Sequence, residues 1–263
     1  MSALEVRDLV KEYTLRDGRR STTLKAVNEV SFSIDSGRTV ALVGQSGSGK
    51  STLAKLLMQL ERPTSGSILL DGKPVSRRGA GLRRYRSDVQ MVFQDPFASL
   101  NPYHTIEHHI GRPLILHGKA KGRDEVQAGV AKLLERVRLD PDMAQRKPHE
   151  LSGGQRQRIA IARALAPEPK ILVADEPVSM LDVSIRLGVL NLLADLQREE
   201  NLGVFYITHD LATARHFSDD ILVMFKGEIV ERGPADDVIL DPQHEYTRLL
   251  AEAAPNPEKR LSA

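Results

Sequence analysis

The sequence predicts an α/β fold, an open sheet with a phosphate-binding loop at its centre, and three observations carry that prediction. The stretch Gly44-Gln45-Ser46-Gly47-Ser48-Gly49-Lys50-Ser51 matches G-x-x-x-x-G-K-[ST], with the apolar run of residues 39–43 before it and Leu53, Leu56, Leu57 and Leu60 at helical spacing after it. Three further apolar runs, residues 89–93, 171–174 and 204–207, end in polar or acidic residues, as strands do when ligands gather at the carboxyl edge of a sheet. From residue 97 to about 150 the strand signals stop and helical spacing takes over, so a helical segment is inserted in the α/β core.

Glycine in the loop lets successive backbone N–H groups turn inward around a polyphosphate, and the helix that follows aims its positive dipole end at the same point. Lys50 adds a mobile charge for the β- and γ-phosphates, and the Ser51 hydroxyl suits Mg²⁺. An ordinary Gly/Ser-rich turn needs neither the full match nor both flanks.

Ahead of the loop, residues 4–13 and 30–34 read as strands, the second alternating cleanly between apolar and polar. Arg16-Asp17-Gly18-Arg19-Arg20 between them reads as a solvated hairpin tip rather than a patch for an acidic partner. Tyr13 stands where an aromatic either stacks on a nucleotide base or packs on an edge strand. After the loop helix, Pro63-Thr64-Ser65-Gly66 is a turn, residues 67–70 a short strand and Asp71-Gly72 a second turn. Arg77, Arg78, Arg83, Arg84 and Arg86 form a solvated helical face, because Tyr85 alone among them gives little for single-stranded nucleic acid to stack on. Gln94 ends the 89–93 run, where a polar side chain either meets a ligand or satisfies a loop.

In the helical segment, Ile106, Ile110 and Leu114, then Val126, Val130, Leu133, Leu134 and Val137, keep helical spacing, punctuated by Pro102, Pro113, Pro141 and Pro148. His104, His108, His109 and His117 read as surface histidines, since no carboxylate pattern accompanies them to complete a metal site. Leu151-Ser152-Gly153-Gly154-Gln155 then opens a helix, with Ser152 and Gln155 as a capping box ahead of Ile159, Ala162 and Ala166. Capping leaves the two glycines unexplained; they permit a close backbone approach at a helix N-terminus, where anions bind.

Asp175-Glu176-Pro177 follows the 171–174 run. Beside a phosphate loop, the first acid holds Mg²⁺, directly or through water, and the second polarises a water aimed at the γ-phosphate; capping the next element is the bland alternative. Asp182 is placed to N-cap a helix whose core face is Ile185, Val189, Leu192, Leu193 and Leu196. His209, in Thr208-His209-Asp210, is positioned either for a γ-phosphate contact or for a structural role. Residues 221–225 and 228–231 read as a hairpin about Lys226-Gly227, and residues 255–263 as a loosely ordered tail.

Composition narrows the function classes. With 41% hydrophobic and 27% charged residues and a net charge of +2, there is no global electrostatic case for nucleic acid. The absence of cysteine excludes disulfides and thiolate-held zinc or iron–sulfur centres, which fits a reducing cytoplasm. Charges among residues 1–13 interrupt any signal-peptide core, and no apolar run approaches the roughly 18 residues needed to cross a bilayer, so work at a membrane requires other chains.

Taken in order, these pieces resemble the ATP-binding subunit of an ABC transporter, and the resemblance covers nearly all of the chain. The family's set is matched by an adenine-stacking aromatic at Tyr13, the Walker A loop at residues 44–51, the Q-loop Gln94 and the LSGGQ motif at residues 151–155. It continues with the Walker B Asp175, the catalytic Glu176, the D-loop Ser179-Met180-Leu181-Asp182 and the switch His209. The resemblance implies a P-loop NTPase fold: a RecA-like mixed-sheet core at residues 1–96 and 157–250 with an N-terminal antiparallel β subdomain, a helical subdomain at 97–156 and a flexible tail at 251–263. It implies ATP and Mg²⁺ as cofactors, catalysis by Glu176, His209, Lys50 and Gln94, and metal ligation by Ser51, Gln94 and Asp175. Nucleotide contacts are implied for Tyr13, Gly44, Gln45, Ser46, Gly47, Ser48, Gly49, Lys50, Ser51, Thr52 and Gln94, and for Gln155 and Asp182. Ser152, Gly153 and Gly154 are expected to cover ATP held by the opposite subunit of a head-to-tail dimer.

Within the family, residues 93–102, residues 181–185 and His244-Glu245-Tyr246-Thr247-Arg248-Leu249-Leu250 are similar to the oligopeptide, dipeptide and nickel importers. Residues 59–66 resemble the second of the two ATPase subunits such systems carry, while Gln45 and Met180 depart from the commonest spellings. The implied partners are two transmembrane permease subunits, a second ATP-binding subunit (this chain or a paralogue) and, indirectly, an extracytoplasmic solute-binding protein. No nucleic acid partner is implied, and the place is peripheral, on the cytoplasmic face of the plasma membrane. A soluble ABC ATPase acting on DNA or ribosomes is the alternative; such proteins usually carry two cassettes, a coiled coil or a zinc insertion, and this sequence has one phosphate loop and no cysteine. A regulatory module without turnover is a third reading, against which the intact Glu176 and His209 count.

Overall fold

Two long strands, β1 (Ser2–Asp17) and β2 (Arg20–Asp35), pair antiparallel from Ser2 opposite Asp35 to Asp17 opposite Arg20. The computed structural model describes residues 2–17 and 20–253. The ladder runs beyond the expected 4–13 and 30–34, because backbone pairing alone carries it through residues 21–25, which are exposed and bury nothing. Gly18 and Arg19 of the expected hairpin tip, and residues 254–263 of the expected tail, lie outside the described residues, while residues 251–253, expected to begin a flexible tail, continue the last helix.

β3 (Thr39–Val43) is buried at every residue and feeds the phosphate loop, from which α1 (Lys50–Leu57) departs. β4 (Ser65–Leu70) pairs with β1, and β5 (Lys73–Pro74) with β4, completing an antiparallel sheet ordered β2-β1-β4-β5. α2 (Gly79–Asp88) carries the arginine face and leads into β6 (Val89–Val92). The expected helical segment follows as α3 (Pro96–Ser99), α4 (Ile106–Leu116), α5 (Arg123–Arg136) and two 3₁₀ turns at Pro141–Gln145 and Pro148–Glu150. α6 (Gly153–Leu165) runs unbroken through residues 156 and 157, where the return to the core is expected.

β7 (Ile171–Asp175), α7 (Val183–Glu200), β8 (Gly203–Thr208) and α8 (Leu211–Phe217) then alternate, and β9 (Asp220–Phe225) and β10 (Glu228–Pro234) form the expected hairpin. α9 (Ala235–Leu240) and α10 (Glu245–Ala253) end the described chain. The main sheet has the order β10-β9-β3-β8-β7-β6, parallel from β9 to β6 with β10 antiparallel at its edge, which is the mixed sheet expected.

Alternate residues of β3 show how the layers divide. Ala41 and Val43 face a core with Ile159, Leu192 and Leu211, a core continuous with Ile106, Ile110 and Leu134 of the helical segment. Val40 and Leu42 face the opposite core, with Leu53 and Leu57 of α1 and Leu4, Val30 and Ile34 of the antiparallel sheet. With both faces covered, the parallel strands are apolar throughout, which is why they read as runs rather than alternations. Phe32 stacks on Phe205 at 5.0 Å, tying the two sheets together.

Three local expectations are corrected. Pro113 lies inside α4 rather than between helices, since proline's own φ is helical and one turn can forgo the N–H it lacks. His109 is buried, not on the surface, with Nε2 3.0 Å from the Asn101 carbonyl oxygen, and burial lowers its pKa. Asp182 takes the N-cap position of α7 with an extended backbone, but its side chain makes no capping hydrogen bond.

Candidate functional site

The phosphate loop is wedged between β2 and β9, and that wedge explains its glycines. A Cβ on Gly44 would sit 2.3 Å from the Met224 carbonyl oxygen, and one on Gly49, where φ is +112°, would sit 2.2 Å from the Ala26 carbonyl oxygen. No side chain fits at either place. The Gly227 N–H donates to the Ser48 carbonyl oxygen at 2.9 Å, the Ser48 N–H to that of Gln45 at 3.2 Å, and the Leu53 N–H to that of Gly49 at 2.9 Å. Geometry leaves the first N–H groups of α1, those of Lys50, Ser51 and Thr52, without helical partners, so they form an anion-binding terminus.

Lys50 is only 7% exposed, and its Nζ donates to the carbonyl oxygens of Gly44 at 2.6 Å and Gln45 at 3.0 Å. Burial pushes its pKa down, opposed by the charges of Glu176 and Asp175. Asp175 ends β7, where burial and the neighbouring Glu176 push its carboxyl up and Lys50 pulls it back. A half-buried carboxylate so short of compensating charge suits a hard divalent cation by its chemistry, as do the Ser51 hydroxyl and the Gln94 amide oxygen.

The sheet order assembles the rest. β6, β7 and β8 are neighbours, so their carboxyl ends set Gln94, Glu176 and His209 side by side, with the phosphate loop on the adjoining β3. Glu176 holds a left-handed φ of +44°, fixed by its N–H donating to the Ile207 carbonyl oxygen at 2.8 Å. Its carboxylate accepts from Gln94 Nε2 at 2.8 Å and lies 2.9 Å from His209 Nδ1. His209 and Gln94 are both exposed, the His209 side chain at 60%, whereas the Glu176 side chain between them is at 17%.

These groups line one cleft of 1410 Å³, a space ample for a nucleotide. Gly44, Gln45, Ser46, Gly47, Gly49, Lys50, Ser51, Thr52, Gln94, Glu176 and His209 all line it, as do Tyr13, Leu24 and Ala26. The Tyr13 hydroxyl donates to Glu61, while Lys11 Nζ stands 4.8 Å from the ring centroid. That hydroxyl, before any charge, holds the Glu61 carboxyl below the usual range.

Ser48, Asp175, Ser152, Gly153, Gly154, Gln155 and Asp182 do not line this cleft; Ser48 is buried in the loop and Asp175 stands behind Glu176 at the end of β7. Ser152 and Gln155 make the expected capping box, with the Gln155 N–H donating to Ser152 Oγ at 3.3 Å and the Ser152 N–H to Gln155 Oε1 at 2.9 Å. Gly154 has a packing reason that the sequence did not show: a Cβ there would meet Ile185 Cγ2 at 2.7 Å. His104 and His108 stack at 4.0 Å, yet among the described residues no group of three or more His, Asp or Glu side chains is placed to hold a metal ion.

Sequence reasoning missed several parts of the cleft wall, namely Lys25, Asp210, Lys226 and Leu250, and it missed Tyr246, whose Oη accepts from the Gln45 N–H at 2.9 Å. No periodicity signals a contact between residues so far apart in the chain.

The ABC transporter family model matches residues 27–179. The di/tripeptide transport ATP-binding protein DppF of Pseudomonas aeruginosa is 47% identical over 97% of this chain and 79% of that protein. The glutathione import ATP-binding protein GsiA of Pectobacterium atrosepticum is 46% identical over 98% of this chain, which spans only 42% of that longer protein. Among solved structures, cbiO1 of Clostridium perfringens, part of the ABC transporter complex cbiONQ, superposes with a TM-score of 0.81 at 27% identity, over 100% of this chain and 99% of that one. The cassette MJ0796, captured as a dimer in a post-hydrolysis state with ADP and Pi, superposes with a TM-score of 0.76 at 31% identity, over 88% of this chain and 98% of its own. The chain belongs to the ABC transporter family, as its ATP-hydrolysing, nucleotide-binding component.

Proposed function

We propose that this chain hydrolyses ATP to power an importer for peptides or a related small solute, and the observation that carries the reading is the carboxylate of Glu176 held between Gln94 and His209 beside the phosphate loop. The DppF and GsiA relatives, both import or transport ATP-binding proteins for peptides, support the solute class. No helix among the described residues is long and apolar enough to cross a membrane, so permease subunits would supply the path and this chain would sit peripherally on their cytoplasmic face.

In this reading the loop N–H groups and Lys50 bind the β- and γ-phosphates, and Tyr13 stacks on the base. Ser51, Gln94 and Asp175 would hold Mg²⁺, which when bound neutralises charge on the phosphate oxygens. Glu176 accepts the proton of the attacking water, and its contacts to Gln94 and His209 aim it. Gln94, at the junction of β6 with the helical segment, joins that contact to the part of the chain where permeases would dock. Ser152, Gly153, Gly154, Gln155 and Asp182 act on the nucleotide of a second subunit; their place outside this chain's own cleft is consistent with that assignment.

Assembly supplies the test. Reconstituted with its two permease subunits and a peptide-loaded binding protein, the chain should hydrolyse ATP faster than alone, and a deletion strain should lose growth on peptides as sole nitrogen source. Recovery of ribosomes or DNA in place of permeases, with no uptake defect, would overturn the importer reading.

A further inference from the structure

The stretch of residues 244–250 has no part in the chemistry above, yet it reaches the phosphate loop. Tyr246, 7% exposed at the start of α10, accepts the Gln45 N–H through its Oη at 2.9 Å and lies on Phe225 with ring centroids 4.1 Å apart. Phe225 is the last residue of β9, next to the Lys226-Gly227 turn whose Gly227 N–H holds the Ser48 carbonyl oxygen. One turn further along α10, Leu250 lines the nucleotide cleft itself. The helix is anchored independently of the loop: Glu231 of β10 accepts from the N–H groups of Gln243 at 2.7 Å and His244 at 3.1 Å, and Tyr246 N–H donates to His244 Nδ1 at 3.1 Å.

The geometry points to Tyr246 as a positioning residue of the phosphate loop, through which α10 and the nucleotide site act on each other. Gln45 follows the first glycine of the loop, and its N–H is taken by Tyr246 rather than left for phosphate. With that N–H tied to a rigid aromatic backed by β9, the loop keeps one curvature, and the ordering cost of wrapping a polyphosphate falls. Linkage makes the effect mutual: whatever α10 does for nucleotide affinity, nucleotide does for the order of α10. Tyr246 touches no reacting atom, so its influence belongs to binding rather than to the hydrolytic step. The inference rests on the ATP-binding reading of the cleft.

Tyr246→Phe keeps the ring and removes only the acceptor, and Tyr246→Ala removes both. For the intact chain with Mg-ATP, Tyr246→Phe should weaken nucleotide affinity about 2- to 12-fold, the range that one hydrogen bond of about 0.5–1.5 kcal/mol provides. Turnover at saturating ATP should stay at the wild-type value, and the nucleotide-free protein, which makes the same hydrogen bond, should melt only about 1–6 °C lower. Mg-ATP should slow amide hydrogen exchange across residues 245–253 in the wild type and lose that effect in Tyr246→Phe. Wild-type affinity in Tyr246→Phe, together with a lowered melting temperature in Tyr246→Ala alone, would make Tyr246 a packing residue and overturn the proposal. Lys50→Ala runs alongside as the reference for a disabled loop. A wild-type chain that binds Mg-ATP no better than Lys50→Ala would instead overturn the nucleotide-site reading beneath the proposal, and the proposal with it.

Discussion

Glu176 Oε1 lies 2.9 Å from His209 Nδ1, across the carboxyl ends of neighbouring strands, and the other oxygen of the same carboxylate accepts from Gln94. A carboxylate so placed is set to take a proton, and substitution should separate binding from turnover. Glu176→Gln preserves the shape and removes the base, so turnover should fall by about 10²–10⁴ while nucleotide affinity holds. Lys50→Ala should do the reverse, losing affinity first. Titration calorimetry and phosphate release on both variants distinguish the two effects, and normal turnover in Glu176→Gln would remove the residue from its role.

Two of the three loop glycines, Gly47 and Gly49, should respond differently to alanine. Gly47 has φ +81° and open space where a methyl group would sit, so alanine there carries only the left-handed strain of about 1–2 kcal/mol. Gly49 adds a collision, because its Cβ would lie 2.2 Å from the Ala26 carbonyl oxygen, which is backbone and has nowhere to go. Gly49→Ala should therefore unfold at lower denaturant than Gly47→Ala and should lose nucleotide binding outright. Equal stability of the two variants would contradict the wedge between β2 and β9.

Burial of Lys50 has consequences for pH whose signs differ with and without nucleotide. Its folded pKa is lowered, chiefly by burial, so between that value and the ordinary lysine value the unfolded chain holds more protons than the native one. Stability of the free protein from this group therefore rises as pH climbs through that window. Nucleotide binding needs the charged ammonium, so affinity should fall as pH rises through the lowered pKa, before the ordinary lysine range of about 10.4 is reached. Lys50→Arg, which stays charged, should lose that decline even if it binds more weakly. Affinity that stays flat up to the ordinary lysine range in the wild type would refute the argument.

Ser152 Oγ is occupied as a helix cap, and the segment containing it lies off the cleft, so its proposed partner is nucleotide on another subunit. Ser152→Asp places a charge against that nucleotide and should abolish turnover while sparing affinity. Mixed with Lys50→Ala under conditions where Mg-ATP drives self-pairing by sedimentation, it should recover activity, since a mixed dimer regenerates one intact site. Pairing without recovery would place Ser152 on its own chain's chemistry or on none.

How much of this was legible in the sequence follows from the range over which each signal acts. The phosphate loop, the acidic pair Asp175-Glu176, the capping box at Ser152 and Gln155, and every strand of the parallel sheet are local patterns, set by backbone sterics, capping geometry and runs of apolar residues. They announced the α/β fold and most of the cleft, and where they erred they did so by a residue's surroundings. His109 carries the same local signal as an exposed histidine and is buried only because α4 turns it toward Asn101. Tertiary structure alone decided which strand ends stand together, because the order β3-β8-β7-β6 depends on how crossovers pack and not on any one segment. It alone brought Glu176 between Gln94 and His209, set Gly154 against Ile185, and carried Tyr246 back to Gln45, since contacts between residues far apart in the chain arise from packing, to which local propensity contributes nothing.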